Sequence, residues 1–143
     1  MKKINFIDIN QQYELHKDEI DKSIFNVLQE GTFIQGPEVK ELEKLLTKFT
    51  GSNAVTVANG TDALFISLMA LDIGPGDEVI TPSFTWVSTV EAIKLVGAKP
   101  VFIEVRPDTF NINEDDIQKM ITPKTKVIMP VSIFGRCPDL NMI

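Results

Sequence analysis

Ala54-Val55-Thr56-Val57-Ala58-Asn59-Gly60-Thr61-Asp62-Ala63-Leu64 is the stretch on which the fold turns. Its first five residues form a short apolar run, read as a strand. Asn59 to Asp62 are turn and cap residues, after which Leu64, Leu68 and Leu71 recur at helical spacing. The same order repeats downstream. Glu78 to Thr81, Pro100 to Val105 and Val127 to Ile133 are three more strand candidates, rich in Val and Ile and bounded by Gly, Pro, Asn or Asp. Val90, Ile93 and Val96 mark a helix after the second run, with Gly97 as its stop. After the third run, Asn113 and Asp116 form a variant capping box, and Ile117, Met120 and Ile121 supply an apolar stripe before Pro123. Strand then helix, repeated three times, predicts right-handed βαβ units over about residues 54–143. The fold class is α/β, a mostly parallel sheet flanked by helices. The last run is apolar on both alternating faces, which predicts a strand inside the sheet.

Upstream, about residues 12–50 read as helical. From Gln12 to Glu30, Ile20, Ile24, Val27 and Leu28 share one face, and Gly31 closes the helix. Pro37 suits a first helical position, Val39, Leu42, Leu45, Leu46 and Phe49 form the next apolar face, and Gly51 takes the left-handed cap. His16 has no second histidine or cysteine nearby and reads as an exposed helix residue.

The chain has 143 residues, 43% of them hydrophobic and 24% charged, which fits one globular domain with a real core. Lys plus Arg total 14 against 20 Asp plus Glu, a formal net charge of −6, which argues against a nucleic-acid partner. Cys137 is the only cysteine, so there is neither an intrachain disulfide nor a Cys-x-x-Cys metal spacing, and no metal site is predicted. The apolar stretch after Met1-Lys2-Lys3 is interrupted at Asp8, too soon for a secretory leader. No run approaches the roughly 18 apolar residues of a membrane span. These features predict a cytoplasmic protein.

Cys137-Pro138-Asp139-Leu140-Asn141-Met142-Ile143 has the marks of a helix start, yet so few residues fall well short of the roughly 12 to 15 that make even a marginal helix. A chain that continues is one reading; a short ordered turn is the other.

Two places could carry chemistry. Asn59-Gly60-Thr61-Asp62 opens a helix directly after a strand, so free N–H groups and the positive helix end meet at the carboxyl edge of the sheet. Gly60 lets backbone approach a phosphate, and Thr61 offers a hydroxyl and an amide. The same residues also serve as caps where nothing binds. The carboxylate of Asp62 repels a dianion, so with phosphate bound it turns away while its amide contributes. The only tryptophan, Trp86, follows Thr81-Pro82-Ser83-Phe84-Thr85 at that same edge. Its indole either stacks on a flat heteroaromatic ring or fills the core at a helix start. Gly74-Pro75-Gly76-Asp77 follows a helix and precedes a strand, the reverse of a dinucleotide fingerprint, and reads as a turn.

Taken together, ordered blocks across nearly the whole chain resemble the DegT/DnrJ/StrS family of pyridoxal-phosphate sugar aminotransferases, which have the aspartate-aminotransferase fold. The blocks are Phe33-Ile34-Gln35-Gly36-Pro37-Glu38-Val39, Asn59 to Leu64, Gly74-Pro75-Gly76-Asp77-Glu78-Val79, Pro82-Ser83-Phe84-Thr85-Trp86-Val87-Ser88-Thr89, Gly97-Ala98-Lys99-Pro100-Val101-Phe102 and Pro130-Val131-Ser132-Ile133-Phe134-Gly135. The resemblance implies that residues 1–143 are the N-terminal, incomplete part of a fold type I large domain. It implies that Gly60, Thr61 and the Asp62 amide hold the phosphate of pyridoxal 5'-phosphate and that Trp86 stacks on its ring.

By the same resemblance the Schiff-base lysine and the aspartate facing the pyridine nitrogen lie beyond residue 143, leaving no catalytic residue in this chain. Lys124 and Lys126 precede the fourth strand candidate and match no family lysine motif. Leu42 stands where the family favours an aromatic residue and Arg136 where glutamine is common. The implied function is the N-terminal part of a homodimeric enzyme that moves an amino group, from glutamate, onto a nucleotide-linked keto sugar. A noncatalytic remnant or dimerisation module of the same family is the alternative, and a site for another phosphate ligand is a third reading.

Overall fold

Glu78–Pro82 are buried along their whole length and form β1, the middle strand of a three-stranded sheet in the order β2-β1-β3. The computed structural model describes residues 7–143, in the order α1 (Ile9–Leu15), α2 (Lys17–Glu30), α3 (Pro37–Thr50), α4 (Gly60–Ala70), β1, α5 (Val87–Leu95), β2 (Lys99–Ile103), α6 (Glu114–Met120) and β3 (Thr125–Ile128). The opening residues read against a secretory leader lie outside the described ones. Both strand pairs are parallel. Ile80 lies opposite Val101 on one side and Ile128 on the other, with a one-residue irregularity at Lys126 where the partner of β1 steps from Thr125 to Val127.

Because successive strand residues face opposite ways, Val79 and Ile80 start two separate cores. Val79 packs with Leu68 of α4, Ala92 and Ile93 of α5, and Ala98. Ile80 packs with Ile103, Ile112 and Ile117, the last on α6. The result is three layers, α4 and α5, the sheet, then α6, the arrangement a parallel sheet needs to bury both faces. At the turn from α5 into β2, Gly97 adopts φ +82, and a Cβ there would stand 2.9 Å from Pro75 Cγ. Gly74 to Asp77 form the expected turn, with Asp77 N–H donating to the Gly74 carbonyl at 3.1 Å.

The chain divides into two compact units, Met1–Thr56 and Val57–Ile143. In the first, α3 begins with Pro37 and ends on left-handed Gly51, and α2 ends on left-handed Gly31, as the sequence predicts. The single helix expected from Gln12 to Glu30 is instead two, broken at His16. Its backbone leaves helical geometry at φ −122, ψ 15, and its N–H reaches back only to the Tyr13 carbonyl. His16 itself is exposed, its Nδ1 lying 4.0 Å from a Glu19 carboxylate oxygen.

Three further expectations are corrected. Ala54 to Ala58 is not a strand. A strand exists only through a ladder partner, and among the described residues this segment has none; Ala54 N–H donates to Thr47 Oγ1 at 2.9 Å and Thr56 N–H to Glu43 Oε1 at 2.8 Å instead. β3 stops at Ile128, well before Ile133, and lies at a margin of the sheet rather than inside it. The ladder makes one more bond, Met129 N–H to the Ile80 carbonyl at 2.8 Å, and then meets Pro130, which has no N–H to give. Finally, Ile121 is exposed and the Asn113 amide donates to the Asp116 carboxylate at 2.6 Å without capping a helical N–H. Residues 139–142 make a single turn, Met142 N–H to the Asp139 carbonyl at 3.1 Å. Among the described residues no helix is long and apolar enough to cross a membrane.

Candidate active site at the carboxyl edge of the sheet

α4 is joined to the start of β1 by a short turn, so it ends at the amino edge of the sheet and begins at the carboxyl edge. Four residues separate the end of β1 from the start of α5, which lies at that same carboxyl edge. The two helices share the Leu68, Ala92 and Ile93 core and run side by side. Gly60 and Thr61 at one N-terminus and Trp86 at the other therefore occupy one edge of the unit.

Asn59 is extended, at φ −164 and ψ 176, and caps α4 by accepting from Asp62 N–H at 2.9 Å. Its amide nitrogen also donates to the Asp62 carboxylate at 3.0 Å. Of the first N–H groups of α4, that of Asp62 is thus already engaged, whereas those of Gly60 and Thr61 have no partner among the described residues. Gly60 needs no special backbone geometry, and a Cβ added to it would meet nothing within 4 Å. Nothing in the described protein requires glycine here; what a Cβ would obstruct is an approach from outside.

Trp86 is the N-cap of α5 and is 73% exposed, so its indole fills no core among the described residues. The loop that carries it is tied at both ends: Ser83 N–H donates to the Ile103 carbonyl at 2.8 Å, and the hydroxyls of Thr85 and Thr89 are 2.9 Å apart. Between these ties Phe84 meets two other phenylalanines. Its ring centroid is 5.5 Å from that of Phe110 and 6.3 Å from that of Phe134, and Phe110 and Phe134 meet edge-on at 5.5 Å. One ring comes from the chain beyond each of the three strands. Sequence reasoning missed this cluster; its trace was an aromatic residue shortly after each apolar run.

The lysines of this unit lie on the other side. Lys94 is in the last turn of α5, Lys99 begins β2, Lys119 is in the last turn of α6, Lys124 immediately precedes β3 and Lys126 lies within it. All five sit toward the amino edge. Here the buried Glu78 carboxylate accepts from Lys99 Nζ at 2.9 Å and from the Thr122 hydroxyl at 2.6 Å. These bonds, first that from Thr122 and then that from Lys99, hold the Glu78 carboxyl below the usual carboxylate range.

A separate cavity of about 330 Å³ lies between the loop after β2 and the C-terminal turn, lined in part by Arg106, Asn111, Glu114 and Arg136. None of Gly60, Thr61, Asp62 or Trp86 borders it. Burial pushes the Glu114 carboxyl up, but bonds from Arg106 Nε at 2.7 Å, from its own backbone N–H and from Asp139 N–H outweigh it and hold the group low. The clamp is structural.

Comparison with known proteins places this edge in context. Residues 14–143 match the model of the DegT/DnrJ/EryC1/StrS aminotransferase family. The chain is 50% identical over 141 residues to the UDP-2-acetamido-2-deoxy-3-oxo-D-glucuronate aminotransferase of Pseudomonas aeruginosa, covering 98% of this chain and 39% of that protein. A crystal structure of a DegT/DnrJ/EryC1/StrS aminotransferase from Brucella abortus superposes with a TM-score of 0.91 at 39% identity, covering 98% of this chain and 40% of that one. NtdA from Bacillus subtilis, solved with its bound cofactor PMP, gives a TM-score of 0.91 at 33% identity over 99% of this chain and 33% of its own. The chain spans about two fifths of the length of the first two of these relatives and a third of NtdA. With a family match across most of its length and the same backbone as the N-terminal part of fold type I aminotransferases, this chain belongs to the DegT/DnrJ/EryC1/StrS aminotransferase family.

Proposed function

We propose that this chain is the N-terminal part of a cytoplasmic, homodimeric aminotransferase dependent on pyridoxal 5'-phosphate. Its substrate is a nucleotide-linked keto sugar and its amino donor glutamate, in amino-sugar synthesis for a surface polysaccharide or glycan. The observation that carries the reading is the half-identity of nearly the entire chain to a UDP-keto-sugar aminotransferase. Residues 1–143 are then an incomplete large domain.

The residues at the carboxyl edge fit the cofactor. Gly60 and Thr61 offer open N–H groups at the positive end of α4, where a phosphate is favoured, and the space beside Gly60 admits one. The Thr61 hydroxyl adds a donor. Asp62 contributes its N–H only if Asn59 releases it, and Asn59 Nδ2 meanwhile holds the Asp62 carboxylate. The exposed Trp86 indole offers a face to the ring. When bound, the cofactor supplies the electron sink that lets protons move at the amino-bearing carbon. This chain's part is to bind and orient it. The placement of all five lysines of residues 57–143 toward the opposite edge supports an amine supplied from outside those residues; the resemblance puts it beyond residue 143, so the chain alone is inactive.

Titration of pyridoxal phosphate against Trp86 emission tests the reading. Saturable quenching is expected, and Thr61→Val weakens it by roughly tenfold, the worth of a bond to a charged group. Emission that ignores the cofactor counts against it. Binding of inorganic phosphate, followed by phosphorus NMR, without any quenching by pyridoxal phosphate would favour a different phosphate ligand.

A further inference from the structure

Phe110 stands out on conformational grounds. Its φ is +58, a strained region that a side chain with a Cβ rarely enters. Such strain persists only where the surroundings impose it, and here they do. Phe110 N–H donates to the Arg106 carbonyl at 2.8 Å, Arg106 N–H to the Asn111 carbonyl at 2.9 Å, and Asn113 N–H to the Glu104 carbonyl at 2.9 Å. Val105 and Ile112 form an antiparallel bridge across the base of this loop. The Arg106 side chain is fixed in turn by Glu114 and Asp115 at 2.7 and 2.8 Å. An over-determined loop thus holds a phenylalanine in a conformation that it would not choose, and that ring packs against Phe84 and Phe134.

Phe84 is the part of the cluster that belongs to the site. It stands two residues before Trp86. Of the three residues between the end of β1 and Trp86, Ser83 is tied to β2 and Thr85 to α5. Phe84 is the remaining one, and its ring meets rings that come from beyond β2 and β3. The cluster is only partly buried, with Phe84, Phe110 and Phe134 at 46%, 41% and 68% exposure. Ring-to-ring geometry restricts the angle between the loops that carry them.

We propose that Phe110 and Phe134 are positioning residues: acting through Phe84, they set the orientation of the loop that carries Trp86. The consequence for cofactor affinity rests on the proposed stacking of Trp86; the orientation itself does not.

The test uses Trp86 as the only tryptophan of the chain. Emission anisotropy and the near-ultraviolet circular dichroism of Trp86 are measured without ligand in the 143-residue chain and in Phe110→Ala, Phe134→Ala and Ile117→Val, the last a core control. Both alanine variants should lower the anisotropy and alter the indole bands; the control should not. Pyridoxal phosphate titration should then show affinity weakened about two- to tenfold in the alanine variants, the range of an aromatic pair. Indole signals that stay at the unsubstituted values in folded alanine variants overturn the proposal, as does an equal change in the core control. If the unsubstituted chain shows no quenching but the variants still lose anisotropy, the stacking reading falls and the positioning role stands. Should either alanine variant fail to fold by far-ultraviolet dichroism, Phe110→Leu and Phe134→Leu replace them, with the same outcomes deciding.

Discussion

Asn59 holds Asp62 twice: its side-chain oxygen accepts the Asp62 N–H at 2.9 Å and its side-chain nitrogen donates to the Asp62 carboxylate at 3.0 Å. This pairing fixes the first turn of α4. Asn59→Ala should lower stability by about 1 kcal/mol, the usual worth of an N-cap. Urea unfolding followed by circular dichroism measures it, and an unchanged midpoint would show that the clasp does not hold the helix.

Gly60 separates folding from binding. Since a Cβ meets nothing within 4 Å, Gly60→Ala should leave the fold intact and even add up to about 1 kcal/mol, because alanine is the better helix former. The same methyl should obstruct a phosphate. Thermal melts and cofactor titration on one sample should therefore move in opposite directions, and a variant that binds pyridoxal phosphate as well as the parent chain would remove Gly60 from the site.

Gly97 makes the contrasting case. With φ +82 and Pro75 Cγ 2.9 Å from where a Cβ would stand, Gly97→Ala should cost on the order of 1 to 3 kcal/mol. A fall in melting temperature with no change in ligand affinity at matched folded fraction is the expected result.

Acid should loosen the amino edge. The folded Glu78 carboxyl is held below its ordinary value near 4.5 by Thr122 and Lys99, so the unfolded chain takes up the proton first as pH falls. The contribution is complete above the ordinary value and is lost as pH drops through the folded one. Glu114 is also held below its ordinary value, so its contribution has the same sign. Melting temperatures from about pH 6 to about pH 3 should fall for the parent chain and fall less steeply for Glu78→Gln; parallel curves would deny Glu78 a part.

Borohydride treatment of the chain with stoichiometric pyridoxal phosphate should leave no single lysine labelled in a saturable manner. Peptide mapping checks this. A stoichiometric adduct at any single lysine of the chain would overturn the proposed inactivity.

Most of the layered architecture was legible because apolar runs and helix punctuation are local properties. Pro37, Gly31, Gly51 and Gly97 each act where the sequence placed them. What failed depended on partners. Ala54 to Ala58 has strand composition but no ladder neighbour among the described residues, and its donors go to Thr47 and Glu43. The run from Val127 to Ile133 was overextended because Pro130 interrupts hydrogen bonding, which a count of apolar residues does not register. At the edge, Thr61 and Trp86 could be assigned to one side from topology alone. The three phenylalanines could not, since their meeting joins loops about 25 residues apart and depends on the positive φ of Phe110, which no residue pattern announces.

Because β1 holds the middle of the sheet, β2 and β3 each leave one row of backbone donors and acceptors unsatisfied by any described strand. Such rows are templates on which other chains can assemble, and β3, with Val127 and Ile128, has the composition that favours stacking. Concentrated solutions of this polypeptide should therefore cloud or form fibrils from β3 outward. Lys126, the one charged and outward side chain of that strand, is the natural gatekeeper against it.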